Sequence, residues 1–212
     1  MIKAKVTLSG NNTRKVSSNS IRDFVLLKQF NVCIDHSSIP MVKEVIWFPP
    51  SIHWFKCNVD GAAKGNPGIA GCGGVFRNHR ADFIYCFAAP LGSTSSTHAE
   101  LYATILAIEL AFRMNWHNIW IESDSTFVVN AFQKASSDVT WNLRNIWRNA
   151  LVMFMQLNGM ISHIFREGNQ VADSLANVGC NLSSPLYWNQ CPDFISNLLE
   201  KNKIGHPSFK IC

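Results

Sequence analysis

The sequence predicts a mixed α/β domain, in the α+β sense: a five-stranded mixed sheet with flanking helices. Three observations predict it. A period of two begins at Phe55, three strand-like runs follow with only short connections, and from Leu101 onward helical segments alternate with two further apolar runs. Strands joined by short turns pair antiparallel, whereas strands separated by helices are free to pair parallel. The order β-β-β-α-β-α-α-β-α therefore implies a mixed sheet with helices packed on it.

Each element rests on its own pattern. Phe55, Cys57 and Val59 alternate with Lys56, Asn58 and Asp60, which makes the first strand. Residues 61–68 are glycine-rich and read as a turn, and the second strand starts near Gly71 and runs through Arg77. Asn78-His79-Arg80 turns the chain into a third strand at residues 82–89. Leu101, Ile105, Ile108 and Phe112 fall at i, i+4, i+7 and i+11, the apolar stripe of an amphipathic helix. Residues 118–123 form a fourth strand whose apolar density marks it as buried. Residues 125–134 and 141–157 read as helices, 160–166 as a fifth strand, and 169–180 as a helix with Val171, Leu175 and Val178 on one side.

The flanks differ in character. Residues 1–20 are rich in Ser and Asn without a sustained period and read as a loose arm; residues 21–30 form a short amphipathic helix. Pro40 and Pro49-Pro50 bracket a linker. The division is thus a polar arm and linker at 1–50, a core domain at 51–180, and a tail at 181–212 with a short helix at 193–203.

Composition excludes several classes. With 47% hydrophobic and 16% charged residues, the 212-residue chain is globular, not disordered. Its richest apolar stretch, 150–157, is far too short to span a membrane, and residues 1–10 have no apolar core of signal-peptide length. The expectation is an intracellular protein, nuclear or cytoplasmic, without a membrane partner. Seven irregularly spaced cysteines include no CxxC pair, so they read as reduced, small apolar residues. The net charge of +5 is concentrated at the N-terminus, where residues 1–50 carry seven Lys/Arg against three Asp/Glu; residues 51–180 carry nine of each. A mildly basic chain is compatible with a nucleic-acid partner.

Four acids of that neutral middle lie at ends of elements that the sheet would bring together. Asp60 ends the first strand, Glu100 lies in the first turn of a helix, Asp124 follows the fourth strand, and Asp173 lies in the first turn of the last helix. Each also has a plain structural use. Asp60-Gly61 is a turn pair, Thr97 to Glu100 fits a capping box, Asp124 suits a helix cap, and Asp173 favours a helix dipole. Spacing alone leaves both uses open.

Five blocks in register go further. They are residues 59–68 (VDGAAKGNPG), 71–77 (GCGGVFR), 97–101 (THAEL), 121–125 (IESDS) and 163–173 (HIFREGNQVAD). They resemble type 1 ribonuclease H, in its plant reverse-transcriptase-like branch, over about residues 54–180. The resemblance implies a ribonuclease H fold. It implies endonucleolytic hydrolysis of the RNA strand of an RNA–DNA hybrid, leaving 5′-phosphate and 3′-hydroxyl ends. It also implies a two-metal carboxylate site of Asp60, Glu100, Asp124 and Asp173, filled by two Mg²⁺ ions, with Mn²⁺ as a substitute. Asp60 would bridge the ions, Glu100 and Asp124 would complete one, and Asp173 the other. His163, ten residues before the last acid, matches the family's loop histidine with a role in proton transfer or product release, and Asn66 matches its hybrid-contacting asparagine.

This residue set suits the chemistry. Phosphodiester hydrolysis needs a hydroxide near neutral pH and stabilisation of a pentacovalent phosphorane, which two hard divalent ions supply. Mg²⁺ prefers oxygen ligands, and crowded carboxylates repel each other unless a cation joins them. Two departures stand out. Ser96 and Thr97 occupy the place of an asparagine pair that contacts the hybrid's sugars, and only Arg144 and Arg148 stand in for a basic segment gripping DNA. Glu122 reads as a solvated or sheet-face acid, not a fifth ligand. The expected partner is an RNA–DNA hybrid and the expected state a monomer. The alternative is a catalytically weak nucleic-acid-binding domain derived from a plant retroelement. A small-molecule phosphate enzyme ranks third, because Gly65-Asn-Pro-Gly68 lacks a P-loop's Gly-Lys-Ser/Thr ending.

Overall fold

A computed structural model of the chain describes residues 2–12, 21–33, 42–134 and 141–211. They fall into two compact units, one running to Val42 and including Ile211, the other Lys43–Lys210.

The first unit holds α1 (Ile2–Asn11) and α2 (Ile21–Gln29). The Thr7 hydroxyl donates to the Phe30 carbonyl, and the Cys33 N–H donates to Asn11 Oδ1 at 2.7 Å. The α1 helix replaces part of the expected loose arm. Its apolar residues follow no stripe, which is why periodicity missed it, and contacts to the segment after α2 hold it instead.

The second unit is built on a mixed sheet. Its elements are β1 (Val42–Val45), β2 (Phe55–Gly65), β3 (Gly68–Arg77), β4 (Phe83–Thr94), α3 (Ser96–Arg113), β5 (Ile119–Ser123), α4 (Thr126–Lys134), α5 (Arg144–Gln156), β6 (Met160–His163), α6 (Gln170–Gly179), β7 (Leu186–Trp188), α7 (Asp193–Lys203) and β8 (Ser208–Ile211). The strand order is β6-β5-β2-β3-β4-β7, and β1 and β8 form a separate two-stranded ribbon. The β2/β3, β3/β4 and β4/β7 pairs are antiparallel; β2/β5 and β5/β6 are parallel. The five predicted strands are all present. The sixth, β7, comes from the segment read as a tail, and α7 from the same segment buries Ile195 and Leu199 against Val75, Cys86 and Leu175.

Residues on successive positions of β2 face opposite ways. Cys57 and Val59 join Phe76, Leu101, Ile105, Ile119 and Ile121 in the main core beneath α3, α4 and α5. Lys56, Asn58 and Asp60 face the side covered by α6 and α7.

The glycine-rich segment is a correction. Only Asn66 and Pro67 separate β2 from β3; the glycines lie within the strands. A Cβ on Gly61 would come 2.1 Å from the Glu100 backbone nitrogen, and one on Gly73 would come 2.5 Å from Leu175 Cβ. These glycines let α3 and α6 lie directly on opposite faces of the sheet; they do not make a turn. That close approach brings the site together.

Candidate active site

Parallel pairing places the first two acids. Val59 pairs with Ser123, so the residues after them, Asp60 within β2 and Asp124 just past β5, come side by side. Asp60 lies within β2, not at its end as expected, because the strand continues to Gly65. It is 6% exposed, and its Oδ1 accepts from its own neighbour's N–H, Gly61, at 2.8 Å. Glu100 comes from α3, packed over Gly61, and Asp173 from the first turn of α6.

The caps assigned to these acids belong to other residues. Ser95 caps α3 by accepting from the His98 N–H at 3.2 Å, so neither Thr97 nor Glu100 serves a capping box, and Glu100 sits one turn further in than expected. Its carboxylate is hydrogen-bonded with Ser125 instead. Ser125 Oγ accepts from the Val128 N–H at 3.5 Å in the first turn of α4, which leaves Asp124 available. Ser95 and Ser125 thus perform the capping that the sequence offered to Thr97, Glu100 and Asp124.

The result is a polar cleft of about 360 Å³ lined by Asp60, Glu100, Asp124 and Asp173, together with Ser96, Arg166 and Asn177. Its electrostatics are strained. Burial first, then the Asp124 charge, push the Asp60 carboxyl up to about 8, with Asp173 and Glu100 adding and the Gly61 N–H opposing. Burial also raises Glu100, as does Asp124 beside it. Asp124 is raised by burial, against a hydrogen bond from Asn169 and the Arg166 charge. Arg166 Nη2 lies 3.4 Å from Asp173 Oδ1 at the open side of the cleft. Among the described residues no three His, Cys, Asp or Glu side chains stand close enough together to hold a metal ion as they are placed. The donor set nevertheless fits a hard cation: four oxygen ligands facing one cleft, three of them held at raised pKa by burial and by one another, a state that bound positive charge would relieve.

The other predicted residues divide. His163 ends β6 opposite Ser123, its Nε2 is 3.1 Å from the Asp124 carbonyl oxygen, and its ring meets Phe165 edge-on. It stands beside the cluster. Ser96 lines the cleft; Thr97 is exposed at the second position of α3. Asn66 is exposed at the tip of the β2–β3 hairpin, away from the cleft lining.

Glu122 takes the second of its two expected places: it is on the sheet face, 6% exposed, and not solvated. Its Oε1 is 2.7 Å from Lys56 Nζ in a buried ion pair, and burial lowers Lys56 to about 8 although Glu122 opposes that shift. Sequence reasoning missed the group to which this pair belongs: Lys56, Asn58, Arg77, Glu122, Asn169 and Trp47. Its signal was present in the polar half of the β2 alternation, on the same face as Asp60.

A mixed sheet of this order, with acids from β2, α3, the end of β5 and α6 around one cleft, defines a ribonuclease H-like protein. The chain belongs to the reverse transcriptase-like family, whose model matches residues 58–179. It is 32% identical over 170 residues to a candidate ribonuclease H protein of Arabidopsis thaliana, covering 78% of this chain and 27% of that relative. Ribonuclease HI of Halobacterium salinarum is 29% identical over 119 residues, 56% of this chain and 60% of the relative. The chain therefore spans about a quarter of the first relative and three fifths of the second. The crystal structure of the Halobacterium salinarum RNase H1 superposes with a TM-score of 0.55 at 27% identity, covering 60% of this chain and 98% of that one. A compost-derived metagenomic RNase H1, LC11, solved in complex with an RNA/DNA hybrid, gives 0.55 at 26% identity over 60% of this chain and 96% of that one. Among the described residues no helix is long and apolar enough to cross a membrane.

Proposed function

We propose that the second unit is an endonuclease that hydrolyses the RNA strand of RNA–DNA hybrids. One observation carries the reading: four carboxylates from distant parts of the chain line a single cleft, and burial and neighbouring charge hold up the pKa values of three of them, Asp60, Glu100 and Asp124. Asp60, Glu100, Asp124 and Asp173 would hold two Mg²⁺ ions, or Mn²⁺ in their place, with Asp60 shared between them. When bound, such ions acidify an attacking water and stabilise charge on the phosphoryl oxygens.

The remaining roles fall to the chain's own groups. His163, with Nε2 directed at the Asp124 carbonyl, stands where its ring can carry a proton away from the cleft margin. Ser96 offers a hydroxyl within the cleft to a ribose 2′-OH, the group by which RNA is told from DNA. Asn66, at the hairpin tip, would meet the hybrid further along its axis. The 26%-identical LC11 enzyme, whose complex contains an RNA/DNA hybrid, supports this substrate class.

A second reading, a domain that binds nucleic acid with little turnover, is favoured by the Arg166–Asp173 contact, because a protein cation already faces one of the four acids. Labelled hybrid, duplex DNA and duplex RNA incubated with and without Mg²⁺ separate the two. The first reading predicts Mg²⁺-dependent cleavage of the RNA strand of hybrid alone, reduced to background by Asp60→Asn. Retention of wild-type cleavage by Asp60→Asn contradicts the assignment; binding of hybrid without cleavage establishes the second reading.

A further inference from the structure

The polar network beneath the cleft has a direction, set by groups that can act only as donors. An indole N–H and a guanidinium donate and never accept. Trp47 Nε1 donates to Asn58 Oδ1 at 2.8 Å, and Arg77 Nη2 donates to the same oxygen at 2.6 Å. The Asn58 carboxamide therefore has one allowed orientation, with its oxygen towards these donors and its NH₂ away from them. That NH₂ donates to Glu122 Oε2 at 3.1 Å and to Asn169 Oδ1 at 3.2 Å.

The second amide is oriented by the first. With its oxygen engaged by Asn58, Asn169 presents its NH₂ to the Val59 carbonyl at 2.9 Å and to Asp124 Oδ1 at 3.2 Å. One NH₂ thus braces the main chain next to Asp60 against the side chain of Asp124. Reversing Asn169 would set its oxygen against a carbonyl and a carboxylate, and its NH₂ against the Asn58 NH₂. Asn58, Asn169 and Arg77 are each 1% exposed and Trp47 is 2% exposed, so water cannot repair such a mismatch. Arg77 is itself fixed, with its guanidinium 3.5 Å from the Trp47 ring centre and Nη1 2.8 Å from Asn202 Oδ1.

We propose that Trp47, Arg77 and Asn58 are positioning residues for Asp124: they set the polarity of two successive carboxamides, and Asn169 delivers it to the carboxylate. Trp47 lies outside the matched family segment. The relay rests on the reading of the cleft as a cation-binding carboxylate site, and its consequence is a pre-set Asp124 oxygen that need not be reoriented when a cation arrives. Groups that orient metal-binding side chains in this way contribute roughly 10–100-fold to metal affinity or activity.

The test compares the wild type with Asn58→Leu, Trp47→Phe and Phe154→Leu. The first removes the relay, the second removes the indole N–H and keeps an aromatic ring beside Arg77, and the third loosens the packing of α5, which carries no residue of the network or the cleft. Mg²⁺ affinity of the free protein is measured by calorimetry, alongside thermal unfolding and the kcat and KM of hybrid cleavage. Asn58→Leu should lower Mg²⁺ affinity and kcat by about 10–100-fold with KM for hybrid unchanged. Trp47→Phe should lower both by about two- to tenfold, the effect of one hydrogen bond. Phe154→Leu should lower the Tm and leave Mg²⁺ affinity alone, as a purely structural contribution would. Wild-type Mg²⁺ affinity and kcat in folded Asn58→Leu overturn the relay while leaving the hybrid reading in place. If Asn58→Leu does not fold, Trp47→Phe decides, and unchanged Mg²⁺ affinity there overturns the relay. A wild type that binds Mg²⁺ but cleaves no hybrid defeats the proposed substrate, and the Mg²⁺ affinities still decide the relay.

Discussion

The two faces of the central sheet are made from the same strands and do opposite things. Under α3, Cys57, Val59, Phe76, Ile119 and Ile121 are wholly buried in an apolar core. On the other face Lys56, Asn58, Arg77 and Glu122 are buried almost as deeply, but through ion pairing, amide hydrogen bonds and stacking on Trp47. Apolar burial contributes stability in proportion to area, about 25 cal/mol per Å², and is indifferent to orientation. A buried ion pair with its hydrogen bonds roughly balances its own desolvation, and what it adds is fixed geometry. The difference teaches that the α3 face supplies the main apolar core, while the polar part of the opposite face, beside the smaller cluster around Val75 and Leu175, holds Asp60 and Asp124 in place.

The largest effect that separates the faces comes from breaking one half of the buried pair. Lys56→Met leaves the Glu122 carboxylate buried opposite an apolar side chain and should cost about 3–5 kcal/mol in denaturant unfolding. Adding Glu122→Gln removes the uncompensated charge, keeps an acceptor for Asn58, and should recover more than half of that loss. If the double variant is as unstable as the single one, the polar face contributes stability in its own right and the contrast fails.

The apolar face should respond differently. Ile121→Ala removes a fully buried side chain and should cost about 2–5 kcal/mol, with Mg²⁺ affinity of the folded protein unchanged. A fall in Mg²⁺ affinity comparable to that of the network variants would show that the faces are not separable.

A smaller effect is expected at the cleft margin. Because Ser95, not Thr97, caps α3, the double change Ser96→Asn and Thr97→Asn leaves the cap untouched. Each asparagine adds a planar donor and acceptor where a single hydroxyl stood, and the KM for hybrid should fall by about two- to tenfold. An unchanged KM in the folded double variant would mean that these positions do not meet the sugars.

Much of this was legible in the sequence, and the exceptions share a cause. The alternation in residues 55–60 correctly separated two faces, and the four acids were visible at positions that the sheet then brought to one cleft. That the polar face is itself buried was not legible. The residues that cover it, Trp47 and Asn202, lie 11 and 144 positions from Asn58 and belong to segments read as a linker and a tail. Period-two patterning reports which residues share a face, and nothing about what later packs on it. The glycines misled for a related reason: Gly61 and Gly73 carry a turn-like composition, but what they accommodate is a helix from a distant part of the chain. Likewise, α7 reads as a short helix of the tail from its own residues, whereas its place in the core depends on Val75, Cys86 and Leu175.

The claim that the cleft is an anionic site awaiting cations is tested most directly by thermal unfolding of wild type and Asp60→Asn, with and without Mg²⁺, at pH 5 and pH 8. A carboxyl raised from the ordinary 3.8 to about 8 binds its proton more tightly folded than unfolded. Its contribution to stability is therefore complete below the unfolded value and is lost as pH rises towards 8. The metal-free wild type should accordingly lose Tm between pH 5 and pH 8, and Mg²⁺ should restore it, more strongly at pH 8 than at pH 5. Asp60→Asn should unfold above the metal-free wild type at pH 8 and respond little to Mg²⁺. Equal Mg²⁺-induced shifts in both proteins, or a metal-free wild type more stable than Asp60→Asn at pH 8, would contradict the account.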